Sequence, residues 1–262
     1  MSGPGPGPGA SAAGGQPGLW VIVPAYNEAR GILPTLQALA AQDDRDFTLV
    51  VVDNNSTDGT SAIVRAFDFP DAHLIHEPVK GTGAAADTGM RYAIAHGATL
   101  LARTDADCLP APDWTASVRR CFAEGLGLIG GQLIPRTDDV PVSAWRRGLL
   151  LAAVEVAVVF GRLRKGNRGP EYLGPYIMAP GCNMAITAEL YERAGGFPRT
   201  KIEDVHEDRA LVNAVRRLTT AYAYRRDVRV RGSVRRAHAW GLRRTLAWYA
   251  DHRYRPEIVD IR

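Results

Sequence analysis

Asp105-Ala106-Asp107 is the stretch of this chain whose chemistry is easiest to name. An apolar run, Thr99 to Ala102, leads into two aspartates separated by one small residue. In a strand, alternate side chains share a face, so both carboxylates leave its C-terminal end with one aim. Such a pair suits a hard divalent cation, Mn²⁺ or Mg²⁺, which takes oxygen ligands and completes its shell with waters and substrate phosphates. An isolated Asp-x-Asp is more often a solvated turn, so support has to come from elsewhere. Asp53, after an earlier apolar run, can accept from a ribose hydroxyl or a base N–H; equally it can cap the turn that follows, as can Ser56 or Asp58. Lys80, in Lys80-Gly81-Thr82-Gly83, reaches a phosphate or stays in solvent, and the glycines there match neither a dinucleotide fingerprint nor a P-loop. Glu207-Asp208 opens a helix, where the dipole alone favours acids.

The elements between these positions follow a regular order. Leu19 to Val23 reads as a buried strand stopped by Pro24, and Asn27 as the N-cap of a helix with Glu28 in its first turn. Strands at Thr48–Val52 and His73–His76 alternate with helices at about 60–67 and 81–96, and the strand carrying the aspartates comes next. This β-α-β-α-β-α-β pattern predicts a parallel sheet covered on both faces, with the loops after the first, second and fourth strands on one edge, where such sheets bind ligands. Leu109–Trp114 starts another helix, to about Glu124, followed by a strand at Gly127–Leu133 and a mostly apolar helix at Ser143–Phe160. Gly161–Pro175 is polar and reads as a mobile loop. Further on come a tight turn into a strand at Ala179–Ile186, a short helix at Thr187–Ala194, a helix after Glu207, a strand at Ala221–Arg231 and an amphipathic helix at Trp240–Tyr249.

Composition narrows the class. The apolar run Gly148–Phe160 contains Glu155 and is shorter than the roughly 20 residues of a membrane span. No segment has the layout of a signal peptide. Cys108, Cys121 and Cys182 lack metal-ligand spacing and predict reduced thiols in a cytoplasmic protein. The net charge of +4 is unevenly placed: Arg225 to Arg255 holds ten Arg against two Asp. That stretch can face a diphosphate, a membrane surface or RNA, or it can reflect the chain's use of Arg over Lys everywhere.

The segments VIVPAYNE (Val21–Glu28), VVDNNSTDGT (Val51–Thr60), TDADCLPAPDW (Thr104–Trp114), PGCNMAI (Pro180–Ile186), ERAGGF (Glu192–Phe197) and HEDRAL (His206–Leu211) together resemble, in order, a family 2 glycosyltransferase. The resemblance covers nearly the whole chain after Leu19. It implies an α/β fold of GT-A type: one domain with a Rossmann-like, mostly parallel sheet and helices on both faces. Its parts would be a disordered Gly/Pro/Ala-rich tail (1–18), a nucleotide-sugar-binding half (19–135), an acceptor-binding and catalytic half (136–231), and a basic C-terminal loop and helix (232–262).

The resemblance also implies roles. Ala25, Tyr26 and Glu28 would line the base and ribose, and Asp53 would contact either. Asp105 would touch ribose or metal, and Asp107 would ligate the metal on the diphosphate. Asp208 would be the general base on the acceptor hydroxyl, and Asn183 would shape the donor-sugar pocket. Pro24, Asn55, Lys80, Ala106, Glu207, Arg235 and Arg236 complete the implied nucleotide-sugar contacts, with His238 as a third metal ligand. The partners implied are a nucleoside-diphosphate sugar, UDP first, and an acceptor that is a small molecule, glycan or lipid-linked. The basic C-terminus with Trp240, Leu246 and Trp248 would be a peripheral membrane contact, and no nucleic acid is expected. One displacement with a base on one side and a neutralised diphosphate on the other inverts configuration.

Three positions depart from the family pattern. Ala86-Asp87 stands where relatives carry Arg-Asn, so Lys80 or a C-terminal Arg would have to compensate. Asn54 replaces a second acid. Glu203-Asp204 is a second Glu-Asp pair, passed over because a better helix follows Asp208. The competing readings are a sugar nucleotidyltransferase, for which Pro24-Ala25-Tyr26-Asn27 is not the required Gly-rich loop, and a basic binding module, which leaves the aspartates unexplained.

Overall fold

The structure, a computed structural model, describes residues 18–136, 164–199 and 206–235, with 138, 145, 148, 149, 152, 161 and 162. The expected N-terminal tail up to residue 17, most of the helix at 143–160, the 203–204 pair and the C-terminal helix lie outside the described residues. In chain order the elements are β1 (Leu19–Ala25), α1 (Ile32–Ala40), β2 (Phe47–Asp53), α2 (Thr60–Ala66), β3 (Ala72–His76), α3 (Thr82–Ala95), β4 (Leu100–Thr104), β5 (Leu109–Pro110), α4 (Trp114–Ala123) and β6 (Leu128–Pro135). They continue with β7 (Asn183–Thr187), α5 (Ala188–Arg193), α6 (Glu207–Arg216) and β8 (Tyr222–Gly232). One sheet holds all the strands in the order β3-β2-β1-β4-β7-β6-β8-β5. Strands β7 and β5 run against the other six.

The central strands are continuous apolar runs because both their faces are covered. Ile22, Val50 and Val52 face one core with Ala85, Ala86 and Met90 of α3 and Leu211, Val212 and Val215 of α6. Val21, Val23, Leu49 and Val51 face the other, with Ile32, Leu36 and Leu39 of α1 and Trp114 and Val118 of α4. Each of the Val, Leu, Ile and Met side chains among them, fully buried, contributes about 1.5–3 kcal/mol.

Three sequence expectations change. Pro24 does not stop β1, which runs on to Ala25. Pairing of β1 with β4 ends at Ile22–Arg103, whereas pairing with β2 continues to Ala25–Asp53, so Pro24 lies where one side of the strand is already unpaired and its missing donor costs little. Asn27 is not a helix cap. It sits at φ 51°, its side-chain oxygen accepts from the Thr57 N–H at 2.7 Å, and α1 begins only at Ile32. The segment 164–175, read as mobile, is pinned instead. Arg216 of α6 donates to Gly174 O at 2.8 Å and Asn167 O at 3.1 Å, and it stacks on Tyr172 at 4.1 Å.

Candidate active site

The C-terminal ends of β1, β2 and β4 bring the expected loops to one edge. After β2 the polar residues build the frame of that edge. Asp53 accepts from the Ser56 N–H at 3.0 Å and the Ser61 hydroxyl at 2.8 Å, so it does cap its own turn. Asn54 donates to Glu77 O at 2.8 Å and Val79 O at 2.7 Å and accepts from the Gly81 N–H at 2.9 Å. A carboxylate cannot donate, which explains why this position is an amide and not a second acid. Asn55, at φ 64°, donates to Pro78 O at 2.7 Å. Lys80 reaches over the Tyr26 ring, 4.7 Å from its centroid. Ala25 accepts the Asn54 N–H through its carbonyl, and the Ala106 carbonyl accepts from Thr35 at 2.9 Å, so both act here through backbone.

Beyond β4 lies the charged centre, organised by a residue that motif reading passes over. Arg103, 1% exposed, points its Nη2 at Asp105 Oδ1 (3.2 Å) and Glu207 Oε1 (3.5 Å) and lies over the Phe197 ring at 5.1 Å. Gly181 leaves room for it: a Cβ there would come within 3.0 Å of the guanidinium. Asp208, next along α6, accepts from the backbone N–H of Arg209 at 2.6 Å. Burial pushes the Asp105, Glu207 and Asp208 carboxyls above their usual range, and Arg103 pulls each of them part of the way back. The signal for Arg103 was present in the sequence, as a charge inside an apolar strand two residues before Asp105, on the same face.

Asp107 lies on the other side. Its Oδ2 accepts from Arg235 Nη2 at 2.8 Å, and the same nitrogen donates to Glu28 at 2.9 Å and 3.1 Å. Burial opposes the Arg235 charge, but its hydrogen bond to Asp107 and the charge of Glu28 outweigh this and hold the guanidinium firmly protonated. Arg136, also unflagged by motif, donates to the Asp107 carbonyl at 3.1 Å.

Other expected positions have partners within the chain. Asn183 is held by the fold. It is fully buried, accepts from Trp114 Nε1 at 2.9 Å, and donates to Gln132 O and Val228 O, each at 3.0 Å. Those carbonyls flank the register shift between β6 and β8 after Gly131, so Asn183 repairs an interrupted ladder, and a Cβ on Gly131 would come within 2.2 Å of its amide. Pro24 is a strand residue, and Glu28 faces Arg235. Arg236 and His238 lie outside the described residues. Asp87, at the departure from Arg-Asn, is buried and bonded to Arg91, Arg199 and the Tyr191 hydroxyl, so it ties α3 to α5 and the chain after it.

Among the described residues no three His, Cys, Asp or Glu side chains group to hold a metal alone. The donor set is nevertheless right for a hard cation that brings its own phosphate oxygens. The two carboxylates do not leave a strand with one aim, as the sequence led us to expect: β4 ends at Thr104, and in the turn beyond it Asp105 faces Arg103 while Asp107 faces Arg235, the guanidinium that also pairs with Glu28.

Comparisons with known proteins bear on the family and the fold. The family model for glycosyl transferase family 2 matches residues 20–193. Glycosyltransferase AglE of Haloferax volcanii is 34% identical over 210 residues, 77% of this chain and 64% of that protein. The polyprenol monophosphomannose synthase of Mycolicibacterium smegmatis is 32% identical over 135 residues, 50% of each chain. This chain therefore spans about half to two thirds of the length of these relatives. Among solved structures, the mannosyltransferase PcManGT from Pyrobaculum calidifontis, in complex with GDP-Man and Mn²⁺, superposes with a TM-score of 0.64 at 28% identity, covering 91% of this chain and 64% of its own. Among the described residues no helix is long and apolar enough to cross a membrane. With an Asp-x-Asp turn, an acidic pair and a GT-A sheet between them, and a family match over most of its length, the chain belongs to glycosyl transferase family 2.

Proposed function

We propose that this chain transfers a sugar from a nucleoside-diphosphate donor, UDP first, to an acceptor hydroxyl with inversion at the anomeric carbon. The observation that supports this best is the meeting of Asp105 and Glu207 on one buried guanidinium at the ligand-binding edge of the sheet, with Asp208 beside Glu207 at the start of α6. Asp105 and Asp107 would hold a divalent cation, Mn²⁺ or Mg²⁺, whose chemistry there would be to neutralise charge on a diphosphate leaving group. Asp53 and Tyr26 border the base and ribose, and Lys80 and Arg235 supply cationic contacts to the phosphates. Asp208 takes the acceptor proton. Burial raises its basicity above that of an ordinary aspartate, which brings it nearer to working pH. Glu207 stays on Arg103 and fixes the start of α6 beside it.

A second acceptor class is favoured by the name of the M. smegmatis relative, which points to a polyprenyl phosphate. A phosphate oxygen is already anionic and needs no base. Asp208→Asn therefore separates the two classes: it removes transfer to a hydroxyl and spares transfer to a phosphate.

Calorimetric titration with UDP, GDP and dTDP, each with Mn²⁺ and then with EDTA, tests the donor site. Binding of one nucleotide that disappears with EDTA supports the proposal and selects the donor class. Equal affinity with and without metal removes the metal role, and no binding to any nucleotide removes the donor site.

A further inference from the structure

Glu28 and Asp107 come from the loops after β1 and β4 and meet at one point. The Glu28 backbone is pinned on both sides: its N–H donates to Thr60 Oγ1 at 2.8 Å, and its carbonyl accepts from the Gly31 and Ile32 N–H groups at 2.9 Å and 2.8 Å. Asp107 is held through its carbonyl by Arg136 at 3.1 Å, and the Arg136 N–H donates to Gly232 O at 2.8 Å, so the end of β8 is drawn to the same place. Gly31 lets the two carboxylates come together: a Cβ there would lie 2.6 Å from Glu28 Oε2 and 3.4 Å from Asp107 Cβ.

A single nitrogen stands at the meeting point. Arg235 Nη2 lies 2.8 Å from Asp107 Oδ2, 2.9 Å from Glu28 Oε2 and 3.1 Å from Glu28 Oε1. It carries two hydrogens, and three carboxylate oxygens crowd onto it. Oxygens converging on one point suit a small hard cation better than a planar guanidinium, which pairs best side by side with one carboxylate. Among the described residues the other Arg235 bonds are local: its Nε and its N–H both turn to Ser233 Oγ, at 3.0 Å and 3.2 Å. Glu28 is 7% exposed, so its charge needs a cation beside it.

We propose that Arg235 is a built-in placeholder for the divalent cation of the donor site: Glu28 shares with Asp107 the oxygens that would hold that ion, and Arg235 fills their seat until the ion displaces it. The proposal deepens the donor-site reading above and rests on it for the metal's role, while the seat itself is tested with metal alone. Once Glu28 and Asp107 are taken, the Arg235 guanidinium loses its carboxylates and turns to the nearest new anion, a donor phosphate. Arg235 thus opposes a metal ion that arrives without a diphosphate and favours one that arrives with it.

The test titrates the full chain with Mn²⁺ alone and reads the free ion by its electron paramagnetic resonance signal. Arg235→Gln should bind Mn²⁺ roughly tenfold tighter than the parent, because it removes the competing charge and keeps both carboxylates. Glu28→Gln should bind it roughly fivefold more weakly, because a ligand is lost. The sign of that second change is decisive and stands alone should Arg235→Gln fail to fold: a Glu28 that served only to hold Arg235 would, when replaced, release Asp107 and tighten Mn²⁺ binding. The double variant should lose the gain of Arg235→Gln. Urea unfolding with and without Mn²⁺ gives a second readout, in which Mn²⁺ raises the midpoint of Arg235→Gln more than that of the parent. Unchanged or weaker Mn²⁺ binding in Arg235→Gln overturns the placeholder, and so does tighter binding in Glu28→Gln or a gain that survives in the double variant. UDP is added last: if the Mn²⁺ affinities follow this order and no nucleotide binds, the donor reading fails while the seat stands.

Discussion

Arg103 and Arg216 are buried alike, at 1% and 2% exposure, yet their surroundings are opposite. Arg216 is saturated. It donates to Gly174 O, Asn167 O and Asn213 Oδ1 and lies against Tyr172 and Tyr176. Arg103 has charge around it but few bonds: two carboxylates at the long end of contact, and no partner among the described residues for Nε and Nη1. Neutral carbonyls in good geometry make the first region a fastening. Crowded carboxylates raised above their usual range make the second an electrostatic centre that folding alone leaves unbalanced.

The comparison predicts that changes on the Arg103 side cost chemistry or respond to pH, and that changes on the Arg216 side cost stability alone. The largest effect is expected at Asp208. Asp208→Asn should lower hydroxyl transfer by roughly 10²–10⁴ in a quenched assay, with donor affinity kept. It should also be no less stable than the parent at neutral pH, because a carboxyl with a raised value stabilises the fold only below its ordinary range and loses that contribution as pH rises. A marked drop in its urea midpoint would assign Asp208 to the fold and not to the chemistry. Next, Arg103→Leu should cost about 3–5 kcal/mol at neutral pH. Its three carboxyls would rise further, so the deficit should shrink as pH falls and they protonate. Arg216→Leu should cost about 2–4 kcal/mol through its orphaned carbonyls, with no such pH trend. Urea unfolding of both variants at two pH values checks the pair; parallel curves would erase the distinction. The smallest effect is Asn54→Asp, at about 1–2 kcal/mol, since it sets an oxygen against the Glu77 and Val79 carbonyls.

Much of this was legible in the sequence. The parallel half follows from short-range periodicity, and the Asp-x-Asp turn and the acidic start of α6 were visible as spacing. What was not legible depends on distant partners. Asn183 reads as a polar residue in a tight turn, and its partners Trp114, Gln132 and Val228 lie in other elements. Asn27 carries a good capping side chain, but a left-handed backbone turns that side chain towards Thr57 of the next loop. The 164–175 segment has a loop composition, and nothing local to it records that Arg216 will hold it. Arg103 differs from these cases, because its strand position and its neighbour at i+2 were available to a reader who asked why a charge interrupts a buried run.

The reversed strand β7 sets the order of assembly. Among the described residues it alone joins β3-β2-β1-β4 to β6-β8-β5, and it is made from residues 183–187, long after β4 has been synthesised. Until those residues leave the ribosome, the inner edge of β4 has no neighbour to pair with. The nascent protein must carry an open, apolar sheet edge through the synthesis of about a third of its length, and that interval is when it is most exposed to aggregation.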